Sequence, residues 1–231
     1  MLVLAIDTSN TVLSIALVED KNTLLEITEI TKNDHSKRLM PAIDQLFKET
    51  GCTPQQLDYI AVAEGPGSYT GVRIGVTVAK TLAWTLNKPL VSMSSLELVA
   101  RNIDEDGLVI PLFDARRETV FAGVYDAKTK DVVIEDGHYE LRQLLKLLNE
   151  SSKKMYFLGN DVPRYWEIIV EILGEKAICV DDNDLNIPHA ANLGKQVLDL
   201  EPVENVHTFV PKYHRLPEAE MNWLQDQKKQ G

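Results

Sequence analysis

The sequence predicts a mixed α/β protein built from two similar subdomains. LVIPLFD at Leu108–Asp114 repeats the pattern of LVLAID at Leu2–Asp7. Each apolar run ends at an aspartate and is followed by a polar turn and a second apolar run, which is typical of a hairpin. Such an internal repeat indicates two copies of one structural unit. The apolar fraction of 44% can give a 231-residue chain a core of ordinary size.

In the first half, a three-strand meander precedes a series of helices. Strands are predicted at 2–6, 12–18, 24–31, 57–63 and 89–92, where apolar or β-branched residues cluster. Helices are predicted at 36–50, 71–87 and 95–102 from apolar residues at helical spacing. Gly51 ends the first helix, and Pro41 fits only in its first turn, so we expect regular helix from about Arg38.

The second half repeats this order of elements. Strands are predicted at 108–114, 119–125, 132–135 and 155–158, and helices at 140–149, 164–173 and 189–200. The polar stretch 102–107 is the candidate boundary. We therefore divide the chain into an N-terminal lobe, 1–103, and a C-terminal lobe, 104–231, which ends in an extended strap.

Bulk properties exclude several functions. The net charge of −11 argues against tight binding of nucleic acid by this chain alone, although local basic patches exist around Lys212 and Arg215 and at Lys228 and Lys229. Two distant cysteines indicate reduced core residues rather than a disulfide framework. MLVLAID lacks a basic lead and reads as a strand, and no apolar run is long enough to span a membrane. We expect a cytoplasmic protein.

The loop EGPGSYTGVRIG, at 64–75, contains four glycines between a predicted strand and a predicted helix. It is not a P-loop, because Val72 and Arg73 follow Gly71, and Thr70 stands where a dinucleotide fingerprint requires glycine. We favour a tight turn that brings two backbones together. Anion binding by N–H groups at the start of the helix stays open.

The helix after this loop is apolar nearly all round, so it must be buried nearly all round. Gly75, Ala79 and Ala83 recur every four residues and form a ridge without bulky side chains, which permits close packing. Either the chain's own sheet and neighbouring helix cover this helix, or part of its surface and the exposed side of the 36–50 helix meet another protein.

Asp7 and Asp114 occupy equivalent positions in the repeat. Such a pair could hold magnesium or orient a water between two lobes. Neither turn has the glycine that close approach to a phosphate favours, so we interpret both carboxylates as caps of the turns. The histidines have no metal-ligand spacing, no GxSxG motif occurs, and neither cysteine has a catalytic context. The residues alone thus predict no catalytic site and no metal site.

Four ordered motifs resemble the TsaB (YeaZ) family: LAIDTSN, GPGSYTGVRIG, DARRETVFAG and PKYHRLPEAE. The resemblance spans most of the chain. It implies two related actin-like lobes of the ASKHA, ribonuclease-H-like type, each a mixed sheet flanked by helices. It also implies a required, non-catalytic role in making threonylcarbamoyladenosine next to the anticodon of tRNAs that read ANN codons.

The resemblance implies a set of partners as well. TsaC or Sua5 makes threonylcarbamoyl-AMP, and TsaD transfers the group to tRNA. A TsaB-like chain binds TsaD directly through helices of the first lobe, meets TsaE through that pair, and forms a homodimer when alone. It contacts tRNA only within the complex. No cofactor is tightly bound, and ATP or ADP is expected, if at all, at the interface with TsaD.

Two sets of site residues follow from the resemblance. TsaD carries an HxxxH metal pair, but here His35 is followed four residues later by Leu39, so the catalytic metal site should be missing. The expected partner interface comprises Leu39, Ile43, Val72, Gly75, Ala79, Ala83 and Leu86. The expected residual nucleotide contacts are Asp7, Thr8, Gly67, Ser68 and Asp114.

Two alternative functions remain. An independent ATPase or kinase of the same superfamily would show turnover that Asp7→Ala abolishes. A metalloprotease would show cleavage sensitive to chelators, and the missing ligand pair argues against it.

Overall fold

A computed structural model describes residues 1–31 and 34–214, which contain two five-stranded sheets. Arg215, the lysines at 228 and 229, and all of the predicted YHRLPEAE strap beyond His214 lie outside the described residues. The first sheet has the order β3-β2-β1-β4-β5. Its strands are β1 (Leu2–Asp7), β2 (Val12–Glu19), β3 (Asn22–Ile30), β4 (Tyr59–Ala63) and β5 (Leu90–Met93).

The second sheet repeats this topology. Its strands are β6 (Leu108–Asp114), β7 (Thr119–Asp126), β8 (Val132–Glu140), β9 (Met155–Leu158) and β10 (Ala177–Cys179). In each sheet the first three strands are antiparallel, and the last two run parallel to the first. The predicted repeat and the predicted two-lobed mixed α/β fold are therefore confirmed.

Six α-helices complete the described fold. They are α1 (His35–Thr50), α2 (Tyr69–Leu86), α3 (Ser95–Ala100), α4 (Leu141–Leu148), α5 (Val162–Leu173) and α6 (Ala190–Lys195). None of them is both long and apolar enough to cross a lipid bilayer.

Several predicted boundaries were wrong. Helix α1 begins at His35, so Pro41 lies in its second turn; a proline there removes one backbone hydrogen bond, which the buried face of the helix outweighs. Strand β8 continues to Glu140 because it pairs with β7 up to that residue. It is a partly exposed edge strand, so its sequence lacks the alternation of apolar and polar residues that would have predicted its length. Strand β10 is too short to predict, and α6 ends at Lys195 rather than at residue 200.

The two halves of the chain exchange helices across the molecule. Helix α3, from the first half, packs on β6 and β7, whereas α6, from the second half, packs on β1 and β2. Both contacts are apolar: Leu96 and Val99 join a cluster with Val109, and Leu193 joins a cluster with Val3. The division at residues 103 and 104 stays a prediction; it separates the sheets in sequence, but these helices cross it.

A polar cluster fixes the start of α6 on the first sheet. The carboxylate of Glu26 on β3 accepts hydrogen bonds from the N–H of Ala191 at 2.9 Å and the hydroxyl of Ser14 at 3.3 Å. His189 Nδ1 lies 3.2 Å from the same carboxylate, and Nε2 lies 2.9 Å from the carbonyl of Asp184. The hydrogen bond to Glu26 raises the pKa of His189 to about 9.

This cluster predicts a pH-dependent stability. Because the folded state holds the His189 proton more tightly, its contribution is fully present below pH 6.5 and is lost as the pH rises through 9. We expect roughly 2–3 kcal/mol to disappear across this window. Urea unfolding of wild type and His189→Gln at pH 6.5 and 9.5 measures it. The difference between the two proteins should shrink at the higher pH, and a constant difference would contradict the assignment.

Candidate functional site

The two lobes enclose a cleft of about 590 Å³. Its walls come from equivalent turns of the two halves: the β1–β2 turn at 9–11 and the β6–β7 turn at 113–117. The loop that leads into α2, at 66–70, forms a third side, and residues 212–214 form a fourth. This cleft lies where equivalent turns of the two lobes meet and is lined by both polar and apolar side chains, so it is the candidate functional site.

The glycine loop lies directly on the β1–β2 turn. A Cβ atom at Gly67 would lie 2.1 Å from the carbonyl oxygen of Ser9, and one at Gly71 would lie 2.2 Å from that of Thr8. A Cβ atom at Gly75 would lie 2.5 Å from the hydroxyl of Thr8. No side chain fits at these distances. Gly67 and Gly71 are required because two backbones come into contact, and Gly75 leaves room for the Thr8 side chain. The favoured interpretation of the loop as a tight turn is consistent with this packing.

Backbone N–H groups of these turns donate to acceptors within the chain. Ser9 N–H donates to the Asp7 carboxylate at 2.6 Å, and Ser68 N–H donates to the Ser9 carbonyl at 2.6 Å. At the start of α2, Gly71 N–H donates to the Ser68 hydroxyl at 3.2 Å. A phosphate cradle needs such donors to point at the ligand. These three donors, the N–H groups of Ser9, Ser68 and Gly71, are engaged within the chain.

Asp7 is buried beneath the cleft. Its side chain is 0% exposed, and Oδ2 has no hydrogen-bond partner among the described residues. Complete burial raises the pKa of Asp7 to about 6, although the hydrogen bond from Ser9 N–H acts in the opposite direction. A carboxylate in this position caps the β1–β2 turn.

Asp114, its equivalent in the second lobe, lies at the wall of the cleft. Its Oδ1 accepts hydrogen bonds from Arg116 N–H at 2.7 Å and from the Tyr165 hydroxyl at 2.6 Å, and Oδ2 pairs with Arg164. Partial burial acts to raise the pKa of Asp114, but these hydrogen bonds and the guanidinium outweigh it and lower the pKa. Both aspartates accept from the N–H two residues later, so both cap their turns.

The expected nucleotide-contact residues fall into two groups. Gly67, Ser68 and Asp114 line the cleft, whereas Asp7 and Thr8 are buried behind it. Nucleotide contact by these five residues stays a prediction.

Sequence reasoning missed part of the cleft wall. Asn160 and Asp161 follow β9 and line the cleft in the second lobe. The internal repeat could have predicted them. Residues 159–161 follow β9 in the second half, just as the glycine loop follows the equivalent strand β4 in the first half. A Cβ atom at Gly159 would lie 2.4 Å from the carbonyl oxygen of Leu112, the same kind of backbone contact that Gly67 makes.

The residues expected at the partner interface lie in the core of the first lobe. Leu39, Ile43, Val72, Ala79 and Ala83 are each at most 4% exposed. Gly75 is buried, and Leu86 is partly buried. These residues lie on the sides of α1 and α2 that face the core. The surface that the two helices present includes Met40, Tyr69 and Trp84, which are 49%, 39% and 66% exposed.

His35 is held in a structural role. Its ring is 5% exposed, Nδ1 lies 2.9 Å from the Thr31 hydroxyl, and Nε2 lies 2.7 Å from the carbonyl of Asn10. Both ring nitrogens are therefore occupied. Among the described residues, no group of three or more His, Cys, Asp or Glu side chains is placed to hold a metal ion.

Comparison with known proteins identifies close relatives. Residues 26–223 match the family TsaD, described as tRNA N6-adenosine threonylcarbamoyltransferase. The chain is 42% identical to the tRNA threonylcarbamoyladenosine biosynthesis protein TsaB of Bacillus subtilis strain 168, over 99% of this chain and 100% of that protein. It is 26% identical to the TsaB of Escherichia coli K12, over 84% of each chain. The solved structure of YeaZ from Pseudomonas aeruginosa is 26% identical, covers 92% of this chain and 99% of its own, and superposes with a TM-score of 0.76.

The burial of Asp7 predicts how the stability of the protein depends on pH. Between pH 4 and 6 the folded chain holds the Asp7 proton and the unfolded chain does not, so the free energy of unfolding falls as the pH rises. Asp7→Asn keeps an acceptor for Ser9 N–H and removes this titration. We expect the variant to gain about 2 kcal/mol relative to wild type between pH 4 and pH 7.5.

Chemical denaturation at the two pH values measures this gain. A relative stability that does not change with pH would show that Asp7 is already ionised at pH 4, and the burial argument would then fail.

Proposed function

We propose that this chain is a required non-catalytic subunit of the machinery that makes tRNA threonylcarbamoyladenosine. The chain belongs to the TsaB family of tRNA threonylcarbamoyladenosine biosynthesis proteins, and its residues 26–223 match the TsaD family. In this role it binds and supports TsaD. TsaD transfers threonylcarbamoyl from threonylcarbamoyl-AMP to the adenosine next to the anticodon of tRNAs that read ANN codons.

The observation that carries the proposal is the full-length match. The 42% identity to the Bacillus subtilis TsaB extends over 99% of this chain and all of that protein. The match therefore includes both lobes, the cleft and the two helices of the proposed partner surface.

The state of the site supports a non-catalytic role. Leu39 stands where the resemblance requires a second metal ligand, and its side chain is 1% exposed in the apolar core. His35, in the place of the first ligand, is bound to Thr31 and to the Asn10 carbonyl. The N–H groups of Ser9 and Ser68 are engaged within the chain. Chemistry on the nucleotide intermediate then belongs to the partner.

The proposed contact with TsaD uses the outer surface of α1 and α2. Trp84 is the largest apolar side chain on it and is 66% exposed, and large aromatic residues often dominate binding energy at protein interfaces. The same surface would serve the homodimer when the chain is alone. TsaE would join through the TsaB–TsaD pair, and any ATP or ADP would lie at the interface with TsaD.

Contact with tRNA in this proposal occurs within the complex. The net charge of −11 opposes binding of a polyanion by the isolated chain.

Reconstitution tests the proposal directly. A mixture of tRNA, threonine, bicarbonate, ATP, TsaC, TsaD and TsaE is assayed with and without this chain, and the modified adenosine is measured by mass spectrometry. We expect product only when the chain is present. Equal product in its absence would refute the assignment.

Two substitutions on α2 separate the interface from the core. Trp84→Ala should change the free energy of unfolding by less than about 1 kcal/mol, because most of the side chain is exposed. It should weaken binding to TsaD by about 2 kcal/mol, or roughly thirtyfold. Ala79→Glu places a carboxylate at a site that is 0% exposed and should cost at least about 3 kcal/mol of stability.

Thermal unfolding and calorimetric titration with TsaD measure the two effects. The control is Leu147→Ala, which removes another exposed apolar side chain (56%) from α4 in the second lobe. If Trp84→Ala binds TsaD like wild type, the outer surface of α2 is not the interface.

A further inference from the structure

The end of the described chain runs along α2 and connects two regions that are far apart in the first lobe. From here on, the strap means residues 202–214, the described segment that leads into the predicted YHRLPEAE strap. It begins beside the edge strand β5, where Val203 N–H donates to the Leu90 carbonyl at 2.8 Å and Pro202 pairs with Val91. It ends at the cleft, where Lys212, Tyr213 and His214 form part of the wall.

Three cationic side chains hold the strap in place. Lys80 on α2 donates to the carbonyls of His207 at 3.0 Å and Phe209 at 2.5 Å. Arg73, two turns earlier on the same helix, donates to the Tyr213 hydroxyl at 2.6 Å. Lys212, on the strap itself, pairs with the buried carboxylate of Glu64 at 2.6 Å.

Stacking and apolar packing complete the attachment. The ring of Tyr213 lies 5.0 Å from that of Tyr69, and the Arg73 guanidinium lies 4.0 Å from the Tyr69 ring. Val203, Val206 and Phe209 pack against the core of the first lobe, but each of them is only partly buried. Backbone hydrogen bonds fix the strap near its two ends, at Val203 and Lys212. Between them it is attached through side chains near the surface, which is typical of segments that open separately from the core.

The strap also touches the outer surface of α2. The ring of His207 lies 5.8 Å from that of Trp84 in an edge arrangement. One continuous segment thus contacts Trp84 near its middle, through His207, and Tyr69 near its end at the mouth of the cleft, through Tyr213. The carbonyl groups held by Lys80 lie between these two contacts.

We propose that the strap is a releasable clamp that couples the cleft to the outer surface of α2. In the closed state, which is the arrangement described above, Arg73 and Lys80 hold the strap between the cleft and Trp84. A molecule that enters the cleft and displaces Tyr213, which lines it, breaks the contact with Arg73 and loosens the segment as far as His207. Coupling between two sites is reciprocal. A molecule that binds at Trp84 and displaces His207 therefore weakens the contact between Tyr213 and Arg73. This inference concerns the isolated chain and does not depend on the proposed function.

Amide hydrogen exchange of the full chain tests the clamp. Lys80→Met keeps the aliphatic stem and removes the ammonium group, so both carbonyl contacts are lost. Exchange at the Val203 and Lys212 amides, which are bonded to Leu90 and Glu64, should become at least about tenfold faster, with β1 unchanged. The matched control is Lys48→Met, which removes an exposed ion pair with Asp44 on α1 and should leave the strap unchanged.

Tyr213→Phe tests the coupling from the cleft end. It keeps the ring on Tyr69 and removes the hydroxyl that Arg73 binds. We expect faster exchange as far as Val203 and a shift of the Trp84 indole N–H resonance, assigned with Trp84→Phe. Arg73→Gln, which removes the other half of the same contact, should reproduce both changes.

Three results would overturn the proposal. Wild-type exchange of the strap in Lys80→Met would show that Lys80 does not hold it. Faster exchange in β1 as well would show that the strap does not open as a separate unit. A Tyr213→Phe effect confined to residues 212–214, with the Trp84 resonance unmoved, would show that the two ends are not coupled.

Discussion

The contact between the β1–β2 turn and the start of α2 constrains the rest of the first lobe. Here the backbone at Gly67 and Gly71 touches the carbonyl oxygens of Ser9 and Thr8, and Ser68 N–H donates to the Ser9 carbonyl. The contact fixes where α2 begins and which of its sides faces the sheet. Because the ridge of Gly75, Ala79 and Ala83 continues from this point, the helix lies close to the strands over its whole length. A larger side chain at the contact would displace the helix that carries the proposed partner surface.

This contact also determines what the N–H groups beside the cleft bind. In a nucleotide-binding protein, turns of this kind direct their N–H groups at phosphates. In this chain the same groups satisfy a carbonyl, a carboxylate and a hydroxyl of the chain itself. Asp7 is sealed beneath the turn, and the burial that raises its pKa removes it from the surface of the cleft. The outcome is a close backbone contact that supports the start of α2.

The exchanged helices and the strap join the lobes in two different ways. Helices α3 and α6 bury apolar side chains in the opposite halves, and the cluster of Glu26 and His189 adds a polar connection to the first sheet. These contacts are extensive and hold the lobes in one arrangement. The strap depends instead on Lys80, Arg73 and Lys212 near the surface, so it can move while the lobes stay in place. A segment attached in this way can connect two sites while the lobes keep their arrangement.

The sequence by itself determined the repeat, the strands that end at Asp7 and Asp114, the tight glycine turn and the presence of α2. These features depend on local periodicity and on steric rules that act over a few residues. It also determined the family, because four ordered motifs are specific. Only the tertiary structure decided which side of α2 is buried. The helix is apolar nearly all round, so its sequence does not indicate which side faces the core. Residues such as Ala79 fit a partner surface and a core equally well. Long-range packing also decided the burial of Asp7, the pairing of β10 and the crossing of α3 and α6, since each depends on segments distant in the chain.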